Sequence, residues 1–147
     1  IGIATARGLA GATGAGLVGL GSLRVLAAGA GPGPVLALID AGRGEVFAAG
    51  YEDGRELVAP TAVAPGRVAD LARGRAWLAI GSGALRFRGQ FEDADVTVPP
   101  DESPAHRVSA RAMLGLAQAD EVDARGAVTP LYLRLPDAEL ALRSSRP

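Results

Sequence analysis

The residues with the clearest chemical potential form a short turn at the end of an apolar run. Residues 35–39 are continuously apolar, which is typical of a strand covered on both faces, and residues 40–45 follow as DAGRGE. Gly42 and Gly44 supply the positive φ that a tight return needs, so we predict a β-hairpin here. At its turn, Asp40 could orient Mg²⁺ or a metal-bound water while the two glycine amides hold a phosphate.

A carboxylate at the end of the same turn argues against phosphate binding. Glu45 would face the bound anion, and like charges about 4 Å apart repel by several kcal/mol in a low-dielectric site. We therefore favour a structural turn, held by a contact of Arg43 with Asp40 or Glu45.

The second candidate is Gly81-Ser82-Gly83, directly after a predicted strand at residues 76–80. Its amides could face an anion, but no basic or hydroxyl partner has a characteristic spacing around it, so a strand-to-loop turn is favoured. Ser82 would need a base to act as a nucleophile, and the sole imidazole, His106, is distant in sequence. We expect His106 to be solvated, since one histidine without other histidine or cysteine ligands cannot build a zinc site.

Two further sequence patterns do not indicate a binding site. Residues 14–19 match G-x-G-x-x-G, but a helix is predicted before them and a strand after them, the reverse of a dinucleotide site, so we assign the match to chance. The acidic groups at residues 92–95, 101–102 and 120–123 lack the spacing of a calcium loop and are interpreted as solvated turns.

The composition narrows the function classes further. The 147 residues carry a net charge of −1, contain no cysteine, and have arginine at all fifteen basic positions. Thiol chemistry, disulfides, Schiff bases and a P-loop lysine are therefore excluded. Scattered arginines with this net charge do not favour a free-standing RNA binder. The sequence contains no unbroken apolar segment long enough for a membrane span and opens with no charged-then-apolar leader, so we expect a cytoplasmic protein.

The elements that must position the candidate residues alternate between helices and strands, which predicts a mixed α/β sheet. Gly31-Pro32-Gly33-Pro34 is a strong breaker, and we place a lobe boundary there, giving lobes 1–33 and 34–147. Besides the hairpin, the predicted strands are residues 17–20, 56–63, 76–80, 94–98 and 131–133. The predicted helices are residues 1–10, 23–30 capped by Ser22, 65–73, and 103–118 with a buried stripe of Val108, Ala112, Met113, Leu116 and Ala117.

Three segments of the chain carry a family resemblance. IGIATARGLAGATGAGLVGLGSLRVLAAG, VLALIDAGRGEVFAAGY and AVTPLYLRLPDAE resemble, in order and spacing, the best-marked segments of the TsaB (YeaZ) family, also called glycoprotease-like or peptidase M22-like. The resemblance implies an actin-like ATPase, ribonuclease H-like (ASKHA) fold, with a second lobe and a remnant of the first. It also implies that the chain begins after the family's first strand and its Gly-Pro-Gly-Ser-Phe-Thr-Gly loop.

The resemblance further implies a non-catalytic scaffold in the synthesis of threonylcarbamoyladenosine, next to the tRNA anticodon. Its partners would be the catalytic TsaD-type subunit, a TsaE-type ATPase and a possible second copy, with tRNA contacted only indirectly. No cofactor is expected, apart from ATP or ADP at a partner interface. The family pairs through first-lobe helices, which makes Ile1, Ala4, Arg7 and Gly8 the contact candidates. The alternative is a residual nucleotide-binding or ATPase lobe around Asp40, Gly42, Gly44, Gly81 and Gly83.

Overall fold

The computed structural model describes residues 1–91, 95–119 and 128–134, and its centre is a five-stranded mixed sheet. The strands are β1 (Pro34–Gly42), β2 (Glu45–Glu52), β3 (Arg55–Val63), β4 (Trp77–Ile80) and β5 (Val96–Thr97), in the spatial order β3-β2-β1-β4-β5. The first three are antiparallel, whereas β4 runs parallel to β1 and β5 runs parallel to β4. The predicted mixed sheet and the predicted hairpin are confirmed.

Within the described residues, five α-helices accompany the sheet: α1 (Gly2–Thr13), α2 (Ser22–Ala28), α3 (Val68–Ala72), α4 (Ser82–Arg86) and α5 (Ala110–Ala119). Short 3₁₀ turns lie at Pro65–Arg67, Arg88–Gln90 and Pro104–His106. In the part of the chain that the structure describes, no helix combines the length and the apolar character that crossing a bilayer would require.

The core lies on both faces of the sheet because β1 alternates its buried side chains between them. Leu36 and Leu38 join a cluster with α3, β4 and Phe91, while Val35 and Ala37 join a second cluster with α2. A strand buried on both faces is what the apolar run at residues 35–39 predicted. Helix α2, from the predicted first lobe, thus packs on the sheet of the second; the division into 1–33 and 34–147 stays a prediction.

The outer strand β3 is irregular along its length. Its register against β2 shifts twice, once beside Gly50 on each side, and Pro60 lies within the first shift. Gly50 is required at this position, since a Cβ there would lie 2.8 Å from the Trp77 ring and 2.9 Å from Val58. Gly50 therefore leaves room for the large side chain of Trp77 at the point where the register of β2 and β3 shifts.

Several predicted elements differ from those observed. Residues 17–20 and 131–133 pair with no other strand and form no strands, and both segments contribute to the lining of an apolar groove. Ser22 is the first residue of α2 rather than its cap, a position that Gly21 occupies. The strand expected at residues 94–98 is reduced to Val96–Thr97, and Ala94 lies outside the described residues.

The helix predicted at residues 103–118 is divided in two. Ser103 does cap its start, because its side chain accepts from the Ala105 amide at 3.4 Å, but only a 3₁₀ turn follows and extended residues precede α5. Of the predicted buried stripe, Val108 and Met113 are 50% and 44% exposed. Apolar periodicity located the apolar face of α5 correctly, but it could not show whether another element covers that face.

Candidate functional site

In the turn after β1, the Asp40 carboxylate is hydrogen-bonded to a backbone amide of the same turn. Oδ1 of Asp40 accepts the Gly42 amide at 2.9 Å, and Oδ2 pairs with Nη1 of Arg86, from α4, at 2.5 Å. The Arg86 hydrogen bond, and next the Gly42 amide, hold the pKa of Asp40 below its usual value. Gly42, Arg43 and Gly44 have φ of 71°, 55° and 76°, so the predicted left-handed turn is confirmed.

The second carboxylate of the turn also has a cationic partner. Oε2 of Glu45 lies 3.1 Å from Nη1 of Arg134, which donates in addition to the Ala41 carbonyl at 3.4 Å. Arg134 is 89 positions away from Glu45, so no local pattern could reveal this pair. The contact expected from Arg43 stays a prediction.

The glycines after β4 serve close packing. Residues 82–86 form α4 instead of the expected loop, and an added Cβ at Gly81 would lie 2.3 Å from the Leu38 carbonyl oxygen. Gly83 is nearly as close, with a Cβ 3.1 Å from the Leu38 carbonyl carbon. These two glycines let α4 lie directly on the backbone of β1.

The polar groups of this junction are paired with one another. The Asp40 amide donates to Oγ of Ser82 at 3.1 Å, and the Gly81 amide donates to Nδ1 of His106 at 3.0 Å. The expectation of a solvated His106 is therefore wrong, because its ring is half-buried and Nε2 lies 3.3 Å from the Pro99 carbonyl. Sequence analysis missed the pairing because the hydrogen bond spans 25 positions.

These contacts determine what chemistry the junction can perform. A phosphate at the turn would have to displace the Asp40 carboxylate from the Gly42 amide, and the Gly81 amide already donates to an imidazole. Nearby carboxylates would repel the anion as well. Within residues 1–91, 95–119 and 128–134, no three histidine or acidic side chains are grouped so that they could hold a metal ion. The arrangement suits a structural junction better than a nucleotide site.

A second region, helix α1, differs from the junction because its side chains are exposed or only partly buried. None of its residues is buried, and the four contact candidates Ile1, Ala4, Arg7 and Gly8 are all exposed. Nη2 of Arg7 donates to the Val128 carbonyl at 2.5 Å, and this hydrogen bond connects α1 with residues 128–134.

The other side of α1 opens onto a large apolar groove of about 1230 Å³. Ile3 and Ala6 form part of one wall, and Met113 and Leu114 of α5 part of the other. Leu114 and Leu131 are 62% and 68% exposed there. Sequence analysis missed the groove, because its lining comes from several segments that are far apart along the chain.

Comparison with known proteins identifies the family. The profile of the family described as TsaD, tRNA N6-adenosine threonylcarbamoyltransferase, matches residues 1–92, well over half of the chain. No curated protein sequence matches.

Two solved structures from Pseudomonas aeruginosa are similar over most of this chain. One is described as an uncharacterized protein with similarity to peptidase YEAZ: it is 27% identical with a TM-score of 0.64, and the match covers 90% of this chain and 66% of that one. The other, YeaZ, is 26% identical with a TM-score of 0.62 over 89% of this chain and 66% of that one. This chain thus spans just under two thirds of the length of these neighbours. Their fold and the mixed sheet agree with the actin-like, ribonuclease H-like class, and the chain belongs to the TsaD family as a TsaB-like member.

Proposed function

We propose that this chain is a non-catalytic scaffold subunit of the machinery that makes threonylcarbamoyladenosine in tRNA. In this role it binds and activates a TsaD-type subunit, works beside a TsaE-type ATPase, and contacts tRNA only indirectly. The family match and the YeaZ neighbours support the pathway. The scaffold role is supported by the contrast between a junction whose polar groups are paired internally and a helix whose apolar residues are exposed.

The observation that carries the non-catalytic part is the closed turn at Asp40. In a working phosphate loop, backbone amides point at the ligand. Here the Gly42 amide is used by Asp40, and the Asp40 carboxylate is used by Arg86. Binding a nucleotide would require breaking both contacts and placing phosphate beside two carboxylates.

Calorimetry with ATP and Mg²⁺ tests this part on the full chain. We expect no binding tighter than about 1 mM. Tight binding that Asp40→Ala abolishes would contradict the scaffold and support the residual nucleotide-binding lobe. Any ATP or ADP in the complex would then be held by this chain rather than at the interface with the partner.

The partner surface is proposed to include the exposed side of α1, with Ile1, Ala4, Arg7 and Gly8. A Cβ added at Gly8 meets no atom within 4 Å, so a side chain there changes the surface without disturbing the fold. Small residues on a helix allow a second helix to approach closely, and an arginine at that position would hold it away.

Co-purification with a TsaD-type partner tests the surface. We expect Gly8→Arg to abolish the complex, whereas Gly115→Arg on α5, another helical glycine with open space around its Cβ, should leave it intact. Unfolding midpoints equal to that of the unsubstituted chain would show that neither variant disturbs the fold. A complex that survives Gly8→Arg would show that the interface lies elsewhere.

A further inference from the structure

The imidazole of His106 joins two segments that are distant in sequence. Nδ1 accepts the Gly81 amide at the end of β4, so the ring proton is on Nε2, which donates to the Pro99 carbonyl. His106 is the single histidine of the chain. The arrangement therefore requires one neutral tautomer, and this is the chain's one side chain whose ordinary charge change falls between about pH 5 and 8.

The segment that carries His106 is fixed at its other end. Arg88 donates from Nη1 to the Val98 carbonyl at 3.0 Å and from Nη2 to the Pro99 carbonyl at 2.9 Å, and it pairs with Asp101 at 2.5 Å. The Pro99 carbonyl thus accepts from both Arg88 and His106. Arg88 holds residues 98–101 whatever the state of the ring, so the contact of the ring with Gly81 concerns the attachment of residues 102–106 to the end of β4.

The β4 end of the contact cannot move to accommodate a changed ring. Gly81 has φ of 99° and lies against the Leu38 backbone, and Ser82 beside it accepts from the Asp40 amide. Next to His106, Ala105 packs against the core cluster that contains α2. A change at the imidazole therefore acts on residues 102–106 rather than on the sheet.

Protonation would place an N–H on Nδ1 facing the N–H of Gly81. Two donors cannot pair, and the Gly81 amide would lose its acceptor. The charged groups on the elements packed around the ring are Arg88 with its partner Asp101, the Asp40–Arg86 pair beside Ser82, Arg24 on α2, and Glu102 and Arg107 on the segment of His106 itself. Asp40 and Asp101 are each paired with an arginine, and Glu102 is exposed.

We propose that His106 is a pH-dependent latch between residues 102–106 and the end of β4. The neutral ring closes the latch, and protonation releases the segment. The proposal is independent of the scaffold function and applies to the isolated chain.

Denaturant unfolding of the full chain at about pH 7.5 and about pH 5.5 tests the latch. Because the closed state requires the neutral ring, stability falls as pH falls through this range. We expect the unfolding equilibrium constant to rise roughly fivefold, the effect of losing one ordinary hydrogen bond. Asp40 and Asp70 have pKa values below 3.8, so the stability that they contribute is lost only in more acidic solution.

His106→Asn is the matched variant, because its Oδ1 stands near the position of Nδ1 and accepts the Gly81 amide without titrating. We expect its unfolding constant to be the same at both pH values. An unchanged wild-type stability, or an asparagine variant with the wild-type pH dependence, would overturn the latch.

Nitrogen NMR of the wild-type chain keeps the proposal testable even if the variant does not fold. The one imidazole should show protonated Nε2 and unprotonated Nδ1 at about pH 7.5, and the Gly81 amide signal should shift as the ring titrates. The opposite tautomer, or a Gly81 signal that ignores the titration, would contradict the proposal.

Discussion

The junction between β1 and α4 and the face around α1 differ in whether their side chains have partners within the chain. At the junction, Asp40 and Ser82 each have a partner inside the chain, and two glycines bring the backbones into contact. Around α1, apolar side chains line a groove and remain exposed. A polar site whose hydrogen bonds are satisfied has little left for a ligand, whereas exposed apolar surface gains free energy when a partner covers it. Under the proposed function, the first region would provide rigidity and the second would bind the partner.

The largest expected effect breaks the junction directly. Gly81→Ala places a Cβ 2.3 Å from the Leu38 carbonyl oxygen at a φ of 99°. We expect it to lower the free energy of unfolding by about 4 kcal/mol, since clash and backbone strain add. Gly54→Ala, at φ of 84° with open space around the Cβ, isolates the strain and should cost about 1 kcal/mol. Denaturant titration measures both; equal losses would show that the close approach to β1 is unimportant.

The same substitution in the core and in the groove sharpens the comparison. Leu38→Ala removes a fully buried side chain from β1 and should cost about 3 kcal/mol. Leu114→Ala acts on a residue that is 62% exposed in the groove, and we expect less than about 0.5 kcal/mol in the isolated chain. Unfolding midpoints of the two variants give the result. A large loss for Leu114→Ala would mean that the groove is closed within the chain and does not await a partner.

The smallest effect concerns the ion pair at the turn. Arg86→Ala removes the main cause of the lowered pKa of Asp40, so that pKa should rise toward 3.8. A carboxylate whose pKa is lower in the folded than in the unfolded state stabilises the fold at pH values above its unfolded-state pKa. This stabilisation is lost as the pH falls through its folded-state pKa. The wild-type chain should therefore keep the contribution of Asp40 to lower pH than the variant does. Carboxyl NMR titration measures the shift; an unchanged Asp40 would show that the Gly42 amide alone sets its pKa.

Local features of the sequence predicted local parts of the structure. The apolar run at residues 35–39 and the glycines of the following turn specify a hairpin, because burial on both faces and positive φ are properties of neighbouring residues. Alternating helices and strands gave the mixed sheet for the same reason.

The contacts on which the proposals rest could not be predicted from neighbouring residues. Arg86 reaches Asp40 across 46 positions and His106 reaches Gly81 across 25, so each pair exists only once the sheet has formed. The exposure of Met113 shows a related limit of sequence patterns. Periodicity indicates that a helix has an apolar face but not whether another element covers that face.

The irregular outer strand also restricts how copies of this chain can join. A regular edge presents a row of free amides and carbonyls on which another strand can add, which is the usual start of sheet-to-sheet aggregation. Along β3, two register shifts and the missing N–H of Pro60 interrupt that row. This edge is therefore a poor template for the addition of a strand from a second copy of the chain. The apolar groove can remain exposed without promoting strand addition at this edge of the sheet.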